Sequence, residues 1–326
     1  MFLKHFILFI FLFFCKRIKK SIIMFNKLIA ALLPYFPKKF VWMFSKKYIA
    51  GDKLEHAINK AKELNSQGYK VTIDVLGEFI TDLSEAEANK EEYIEVIETA
   101  EKNNIDGNYS VKPTMFGLLI DKEICYTNIR EIVKKAAEYN NFVRLDMEDS
   151  QCVDMEIELL RKLKAEFPKN VGLVFQSYMH RTFDDINNLL DIHSGETPLN
   201  FRLCKGIYVE PKEIAFKKYE EINDNYVKIL DFIFEKNIYP GIATHDKKLI
   251  TEAYRLIEKY NVPKDKFEFQ MLLGVTPDLR KSIIDKGYNL RVYVPFEKDW
   301  FGYSTRRLKE NPKMANQIIK GIFKKG

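Results

Sequence analysis

The sequence predicts an α/β protein built as a closed (βα)8 barrel of TIM-like architecture, with extra N-terminal helices. Eight short runs rich in β-prone residues begin at residue 70 of the 326, and a helix-length charged segment follows each of them. This alternation is typical of parallel strands joined by helices, and eight such units favour a closed barrel. A doubly wound open sheet is the alternative, but no GxGxxG fingerprint follows the first run.

The N-terminus precedes these runs and has an unusual composition. Residues 6–15, FILFIFLFFC, are wholly apolar, and KRIKK follows them. As a helix this run would cover about half of a bilayer's hydrocarbon core, and no small-residue cleavage site follows it. Residues 1–23 are therefore expected either to lie against a membrane surface or to be untranslated, and we favour Met24 as the start. Residues 24–69 are predicted to be helices packed outside or across the barrel, and residues 70–326 to be the catalytic barrel, as one domain.

The β-prone runs follow one another at regular intervals along the barrel segment. In chain order they are KVTIDVLGE (70–78), NYSVKPT (108–114), FVRLDMED (142–149), VGLVFQSY (171–178), NFRLCKGIY (200–208), YPGIATHD (239–246), KFEFQMLLG (266–274) and LRVYVPF (290–296). Segments between them read as helices, for example TNIREIVKKAAEYN, VDMEIELLRKLKAEF and KKLITEAYRLIEKYN. No linker or low-complexity block interrupts this order.

Composition limits the class of protein. Apolar residues make up 46% of the chain and charged residues 30%, which is enough for a large core and argues against global disorder. The net charge of +6 is spread along helices without a basic block interleaved with aromatic residues, which argues against nucleic acid as a partner. The four cysteines show no CxxC and no cluster with histidine, so we expect reduced thiols of a cytosolic protein and no metal site.

Polar residues fall where the predicted strands end, which is where barrel enzymes place their chemistry. These residues are Asp74, Lys112, Asp146, Gln176, Lys205, Thr244, His245, Gln270 and Tyr293. A loop polar group or a helix cap commonly explains one such residue. Eight successive strand ends instead predict a shared polar cavity, because inward-facing charges need partners. The side chains expected to face one another across this cavity are Lys112, Asp146, Arg202 and Lys205.

Other interpretations of these residues remain open at this point. Lys112 or Lys205 would suit a Schiff-base aldolase, which is the mechanistic alternative. His245 also fits the interpretation of a buried core histidine whose hydrogen bonds are satisfied. The pair Asp149-Ser150 is expected to cap the following helix. A non-catalytic, membrane-tethered barrel is a further alternative.

The stretch DWFGYSTRRLKENP (299–312), near the end of the chain, has an unusual pattern. Read as a helix, it places Tyr303 one turn before Arg306 and Arg307, and Glu310 one turn after them. Such a stripe is either a solvated face or a cationic clamp for an anion. After an eighth strand, the first turns of this helix would stand over the cavity. That placement favours the clamp, with Glu310 as its partner.

Taken together, these strings resemble a known family. LDMEDS, FQSYMHRT, FRLCKGIY, ATHD, FEFQMLLG and YVPF…W…YSTRRLKENP occur in this order, with DVLGE and SVKPT before them. The combination is similar to the monofunctional proline dehydrogenases, which are FAD-dependent (βα)8 barrels. The resemblance covers about residues 40 to 315. Three positions depart from it, Pro113, Cys204 and Glu297, and none of them carries an expected chemical role.

The resemblance implies a role for each matching residue. The catalytic residues would be Asp146 and Arg202. The FAD-binding residues would be Met147, Gln176, Arg202, Lys205, Gly206, Ile207, Thr244 and His245. The substrate-binding residues would be Lys112, Tyr208, Leu272, Tyr293, Tyr303, Arg306 and Arg307. The two adjacent arginines of this set would bind the proline carboxylate.

The resemblance also implies a reaction and its partners. L-Proline would be oxidised to 1-pyrroline-5-carboxylate by hydride transfer to FAD, and the electrons would pass to a membrane quinone. This is the first step of proline catabolism to glutamate. The expected location is cytoplasmic, at the inner face of the membrane, with a separate pyrroline-5-carboxylate dehydrogenase as a possible partner.

Overall fold

A computed structural model of the chain describes residues 47–296. Eight parallel strands pair in chain order, and β1 also pairs with β8 to close the barrel. The strands are β1 (Lys70–Val75), β2 (Gly107–Val111), β3 (Val143–Leu145), β4 (Val171–Gln176), β5 (Asn200–Cys204), β6 (Tyr239–Ala243), β7 (Glu268–Leu272) and β8 (Leu290–Phe296). The predicted (βα)8 barrel is confirmed, and the doubly wound alternative is wrong because the sheet has no open edge.

Helices precede β1 and follow each of β1 to β7. They are α1 (Leu54–Ser66), α2 (Leu83–Lys102), α3 (Lys122–Glu138), α4 (Val153–Glu166), α5 (Thr182–Asn188), α6 (Tyr219–Glu235), α7 (Lys247–Lys259) and α8 (Pro277–Asp285). Short 3-10 helices occupy Pro113–Phe116 and Leu190–Ile192. Helix α1 packs against β1 and β8, and it buries Ala57, Ile58, Ala61 and Leu64 on one face.

Seven of the eight strands end before their predicted runs do, whereas β8 (Leu290–Phe296) fills its whole run. The clearest case is the run 142–149, in which the strand is limited to Val143–Leu145. The remaining residues of most runs form the loops that follow the strands, and these loops carry many of the predicted site residues. Most strands therefore end earlier than the sequence suggested, and Asp146 lies outside β3, in the loop that follows it.

Side chains alternate along the strands between an apolar outer layer and a polar interior. In β1, Val71, Ile73 and Val75 belong to the apolar core, whereas Thr72 and Asp74 lie between them. Hydrogen bonds across the barrel show which side is internal, since Arg202 of β5 reaches Gln270 of β7. TIM barrels are usually filled with branched aliphatic residues. This barrel instead buries a hydrogen-bonded polar network.

Helix α4 begins where the predicted segment VDMEIELLRKLKAEF begins, but its N-cap residue differs from the expected one. It starts at Val153, with Cys152 as its N-cap residue, so the expectation that Asp149-Ser150 caps it is wrong. The carboxylate of Glu210 instead accepts hydrogen bonds from the Ser150 amide at 2.7 Å and from its hydroxyl at 2.8 Å. A tertiary contact therefore fixes this turn, which local sequence could not reveal.

Some predictions concern residues outside the described range. They concern the apolar segment 1–23, the first half of the segment 24–69 (residues 24–46), and the stretch with Tyr303, Arg306 and Arg307. Between residues 47 and 296, no helix combines the length and the apolarity that crossing a bilayer would require.

Candidate active site

Four charged side chains meet at the carboxyl end of the barrel. Lys112, just after β2, donates to Asp74 Oδ1 at 3.0 Å, and its Nζ lies 3.5 Å from Asp146 Oδ2. Arg202 Nη1 donates to Asp146 Oδ1 at 2.7 Å. Two cations and two carboxyl groups thus form one connected cluster drawn from four strands. The structure thus brings Lys112, Asp146 and Arg202 together, as their positions near strand ends predicted.

Asp146 is the centre of this cluster. Besides the bond from Arg202, it accepts one from the Ser110 hydroxyl at 2.6 Å and one from the Tyr293 hydroxyl at 2.8 Å. Burial acts to raise the pKa of Asp146, but the charges of Arg202 and Lys112 and these hydrogen bonds together lower it below its ordinary value. Asp146 is therefore a stable carboxylate.

Asp74 has the opposite tendency. Its side chain is fully buried, and its Oδ2 has no hydrogen-bond partner among the described residues. Burial raises the pKa of Asp74 to about 6, even though the charge of Lys112 acts to lower it. Burial acts to lower the pKa of Lys112, but Asp74, Tyr293 and Asp146 together hold it well above its ordinary value. Lys112 is thus an ammonium ion, whereas a Schiff-base mechanism requires a neutral amine.

Arg202 is held on two sides and has a donor left over. Its Nε donates to Gln270 Oε1 at 2.5 Å, its Nη1 contacts Ser110 as well as Asp146, and its guanidinium lies 5.2 Å from the centre of the Tyr293 ring. The remaining Nη2 is buried and has no partner within residues 47–296. A buried donor without an acceptor is costly, so this atom suits a bound group that accepts hydrogen bonds.

The loop after β5 presents its backbone at the same end of the barrel. Gly206 has φ +106°, and a Cβ there would lie 2.1 Å from the Tyr178 ring. Only glycine fits this conformation. Ile207 is half exposed beside it, and Tyr208 is partly buried, which together with the charge of Glu148 raises its pKa. Gly206 therefore lets the loop pack closely against Tyr178, and the cofactor contact that the resemblance implies for Gly206 and Ile207 stays a prediction.

Lys205 departs from the expected arrangement. Its Nζ donates to Asp246 Oδ2 at 2.7 Å and lies 4.5 Å from the centre of the Tyr219 ring. The expectation that it faces Asp146 is therefore corrected. Asp246 caps α7 by accepting from the Lys248 amide, and this cap draws the lysine toward the helix. Lys205 remains at the carboxyl end of the barrel, but its charge is already paired.

Hydrogen bonds from buried polar groups hold the loop after β3 in place. Gln176 Nε2 donates to the Glu148 carbonyl at 2.7 Å, beside buried Met147. The Glu148 carboxyl accepts from the Thr114 amide at 2.9 Å and from its hydroxyl at 2.5 Å. Burial raises the pKa of Glu148 to about 7. Glu148 thus ties the loop that carries Asp146 to the loop that carries Lys112.

The β6 and β7 loops meet through a histidine. His245 Nε2 accepts the Leu272 amide at 2.9 Å, which assigns the proton of the neutral ring to Nδ1. Burial and the nearby charge of Arg280 lower the pKa of His245 to about 4, so the ring is neutral at physiological pH. Thr244 accepts from the Asp246 amide at 3.1 Å. Leu272 keeps 41% of its surface exposed, which makes it available as an apolar wall.

Several residues of the polar interior were not singled out from the sequence. Ser110 completes the environment of Asp146, and Arg144, Glu268 and Arg291 are buried deeper in the barrel. Their signal was a charged residue two positions before a predicted site residue, as in Glu268 and Gln270 or Arg291 and Tyr293. In a strand, this spacing places both side chains on the same face.

Metal-binding groups were also sought in the described range. Residues 47–296 contain no grouping of three or more His, Cys, Asp or Glu side chains that could hold a metal ion. The three cysteines in that range, Cys125, Cys152 and Cys204, are free thiols.

Similarity to known proteins extends over most of the chain. The profile of a family described as "Proline dehydrogenase" matches residues 57–320. The proline dehydrogenase of Deinococcus radiodurans is 34% identical over 288 residues, which cover 87% of this chain and 91% of that protein. Proline dehydrogenase 2 of Bacillus subtilis (strain 168) is 36% identical over 279 residues, which cover 86% of this chain and 90% of that protein.

A solved structure matches the same barrel. Proline utilization A from Bdellovibrio bacteriovorus, in a crystal structure of the protein inactivated by N-propargylglycine, superposes with a TM-score of 0.75 at 27% identity. The match covers 82% of this chain and 33% of that longer protein. The profile match, the two relatives and the shared barrel show that this chain belongs to the proline dehydrogenase family.

Proposed function

We propose that this protein oxidises L-proline to 1-pyrroline-5-carboxylate with FAD as the hydride acceptor, as the first step of proline catabolism. The observation that carries the proposal is the charged cluster of Asp74, Lys112, Asp146 and Arg202 at the barrel mouth, in a chain of this family. Two positive and two negative groups balance there, so the site can receive a zwitterionic amino acid without a large change of net charge.

The residues at the barrel mouth fit FAD. The unpartnered Nη2 of Arg202 offers a buried hydrogen-bond donor, and the exposed side chain of Ile207 offers apolar surface in the loop after β5. The residues that would hold FAD are Met147, Gln176, Arg202, Lys205, Gly206, Ile207, Thr244 and His245. When bound, FAD supplies the centre that accepts the hydride from the proline ring. Of these residues, His245 would act as a neutral Nδ1–H donor and Arg202 as a cation.

The chain's own residues orient the substrate and balance its charge. Tyr208, Leu272 and Tyr293 would pack around the apolar part of the proline ring. Arg306 and Arg307 would take the carboxylate through paired hydrogen bonds, as would suit two adjacent arginines following Tyr303.

Asp146 would act on the reacting end of the substrate. The proline amine must be neutral before C5 gives up a hydride, and positive charge then develops on the C5–N bond. A carboxylate that stays ionised nearby stabilises that charge. Lys112 remains protonated and, together with Asp74, holds the Asp146 carboxylate in place. None of these groups needs to change its protonation state during hydride transfer.

The later fate of the electrons follows from the family resemblance. We propose a membrane quinone as acceptor, with the protein in the cytoplasm and peripheral at the inner face of the membrane. A separate pyrroline-5-carboxylate dehydrogenase would consume the product.

The test is the colour of the purified protein and its response to substrate. Protein supplied with FAD should be yellow, and its flavin absorbance should bleach when L-proline is added without oxygen. A colourless protein that does not take up FAD would contradict the proposal. Inactivation by borohydride in the presence of a carbonyl substrate, without any flavin, would instead support the Schiff-base aldolase.

A further inference from the structure

A line of hydrogen-bonded side chains runs inside the barrel beneath the charged cluster. Arg291 donates from Nε to Glu268 Oε1 at 2.7 Å and from Nη2 to Glu268 Oε2 at 3.0 Å. Gln270 Nε2 donates to the same Glu268 Oε1 at 2.7 Å. Gln270 Oε1 accepts from Arg202 Nε at 2.5 Å. The line therefore links a deeply buried ion pair to the guanidinium at the mouth of the barrel.

The two ends of the Gln270 amide are chemically different, and its neighbours fix which end faces which. Glu268 is buried, and although burial acts to raise its pKa, Arg291 lowers it below the ordinary value, so it is an ionised acceptor. A flipped amide would set its carbonyl oxygen against this carboxylate and its NH2 against the Arg202 N–H. Both contacts would be repulsive, so Glu268 determines that the Gln270 oxygen faces Arg202.

The space around the amide allows little other movement. A Cβ on Gly241 of the neighbouring strand would lie 2.4 Å from Gln270 Nε2, so the amide packs directly against that glycine. Gln270 itself is buried, with 6% of its surface exposed. The acceptor that meets Arg202 is thus held in place by both hydrogen bonds and packing.

We propose that Gln270 is a positioning residue for Arg202. A guanidinium is planar, so bonds to two of its nitrogens fix the direction of the third. Gln270 holds Nε and Asp146 holds Nη1, which leaves Nη2 aimed in one direction without a partner. This inference rests on the proposed function, in which the acceptor for Nη2 belongs to the flavin.

Gln270→Met tests the proposal, because methionine keeps the approximate length and volume but removes both polar ends. In FAD-loaded protein, sulfite adds reversibly to the oxidised flavin and bleaches it, and positive charge held near the flavin favours the anionic product. We expect Gln270→Met to retain FAD but to bind sulfite about tenfold more weakly, as for one displaced hydrogen bond to a charged group. The kcat should fall by a similar factor, with the proline KM changed by less than about threefold.

Two further variants separate positioning from general damage to the core. Gln270→Glu should restore sulfite affinity and kcat to within about threefold of the wild type, because a neutral carboxyl donates to Glu268 and accepts from Arg202 as the amide does. Thr72→Val removes a buried hydrogen bond to Asn108 in the same barrel interior without touching this line. Thr72→Val should leave the sulfite affinity and the kcat unchanged. Equal losses in all three variants would overturn the proposal.

A measurement without flavin distinguishes this proposal from the proposed function. In the FAD-free chain, a double-mutant cycle of Gln270→Met and Arg202→Met should show a coupling of about tenfold in the unfolding equilibrium constant. Coupling below about twofold would show that the contact does not hold Arg202, and would overturn the inference. Wild-type protein that ignores FAD and proline while this coupling persists would contradict the proposed function alone.

Discussion

The Tyr293 hydroxyl donates to Asp146 Oδ2 at 2.8 Å, joining β8 to the loop after β3 across the mouth of the barrel. Burial and the charge of Asp146 raise the pKa of Tyr293 well above its ordinary value, so the hydroxyl remains a donor at physiological pH. Neither strand is a sequence neighbour of the other, so this contact exists only because the sheet closes. It helps to keep Asp146 ionised and oriented toward the cavity.

Tyr293→Phe should therefore impair the reaction more than it impairs the fold. One charge-assisted hydrogen bond to Asp146 is lost, and the ring that packs beside Arg202 is kept. We expect kcat/KM for proline to fall by about tenfold or more, as for about 1.5 kcal/mol of transition-state stabilisation. Steady-state kinetics with an artificial electron acceptor will measure this effect.

Tyr109→Phe is the matched control. Tyr109 is also buried, but its hydroxyl contacts Glu101 of α2, at 3.3 Å, outside the cavity. This variant should keep the wild-type kcat/KM even if it is somewhat less stable. If both variants lost activity equally, the role assigned to the Tyr293 hydroxyl would be wrong.

Gly206→Ala should disrupt the loop after β5. The left-handed conformation at this residue disfavours a side chain, and the added methyl group would strike the Tyr178 ring. We expect a loss of about 1–3 kcal/mol in the free energy of unfolding and weaker FAD binding, measured by denaturation and by flavin titration. Gly195→Ala adds the same methyl group where no atom lies within 4 Å. Flavin affinity that is unchanged in Gly206→Ala would remove this loop from the cofactor site.

Glu148 should make stability depend on pH. Burial raises its pKa from 4.5 to about 7, so the folded state holds this proton more tightly than the unfolded state does. The resulting stabilisation is present below about pH 4.5 and is lost as the pH rises through 7. Between about pH 5 and pH 8, this one group should lower the free energy of unfolding by roughly 2–3 kcal/mol.

Glu148→Gln should flatten that dependence, because glutamine does not titrate. The variant also loses one acceptor for Thr114, which offsets its stability by a constant amount at every pH. Urea denaturation at several pH values will separate the slope from the offset. Glu158→Gln makes the same change on a half-exposed side chain and should keep the wild-type slope. Parallel curves for the wild type and Glu148→Gln would contradict the prediction.

Arg306→Met and Arg307→Met test the clamp that the sequence predicts. Each variant should raise the proline KM strongly while FAD stays bound, because loss of a charge-assisted bond to a carboxylate costs about 1.5–3 kcal/mol. Kinetics over a range of proline concentrations, together with the flavin absorbance of the purified variants, will measure both quantities. Unchanged kinetics in both variants would contradict the clamp and favour the alternative, in which the two arginines lie on a solvated helix face.

The sequence by itself determined the architecture and several members of the charged cluster. Alternation of β-prone runs with helical segments was sufficient for the barrel, because parallel strands and their crossover helices have distinct local patterns. Polar residues at successive strand ends were sufficient to bring Lys112, Asp146 and Tyr293 together, since all carboxyl ends of a parallel barrel meet at one face. The family strings then predicted the proline dehydrogenase family, which the comparisons confirm.

Only the tertiary structure decided which charges are paired and which protonation states they hold. Lys112 and Lys205 look alike in sequence, but one joins Asp74 and Asp146 while the other pairs with Asp246. Asp74 and Asp146 are both strand-end carboxyl groups, but their pKa values shift in opposite directions. These differences depend on burial and on distances between residues far apart in the chain. Local propensity and spacing carry no information about either.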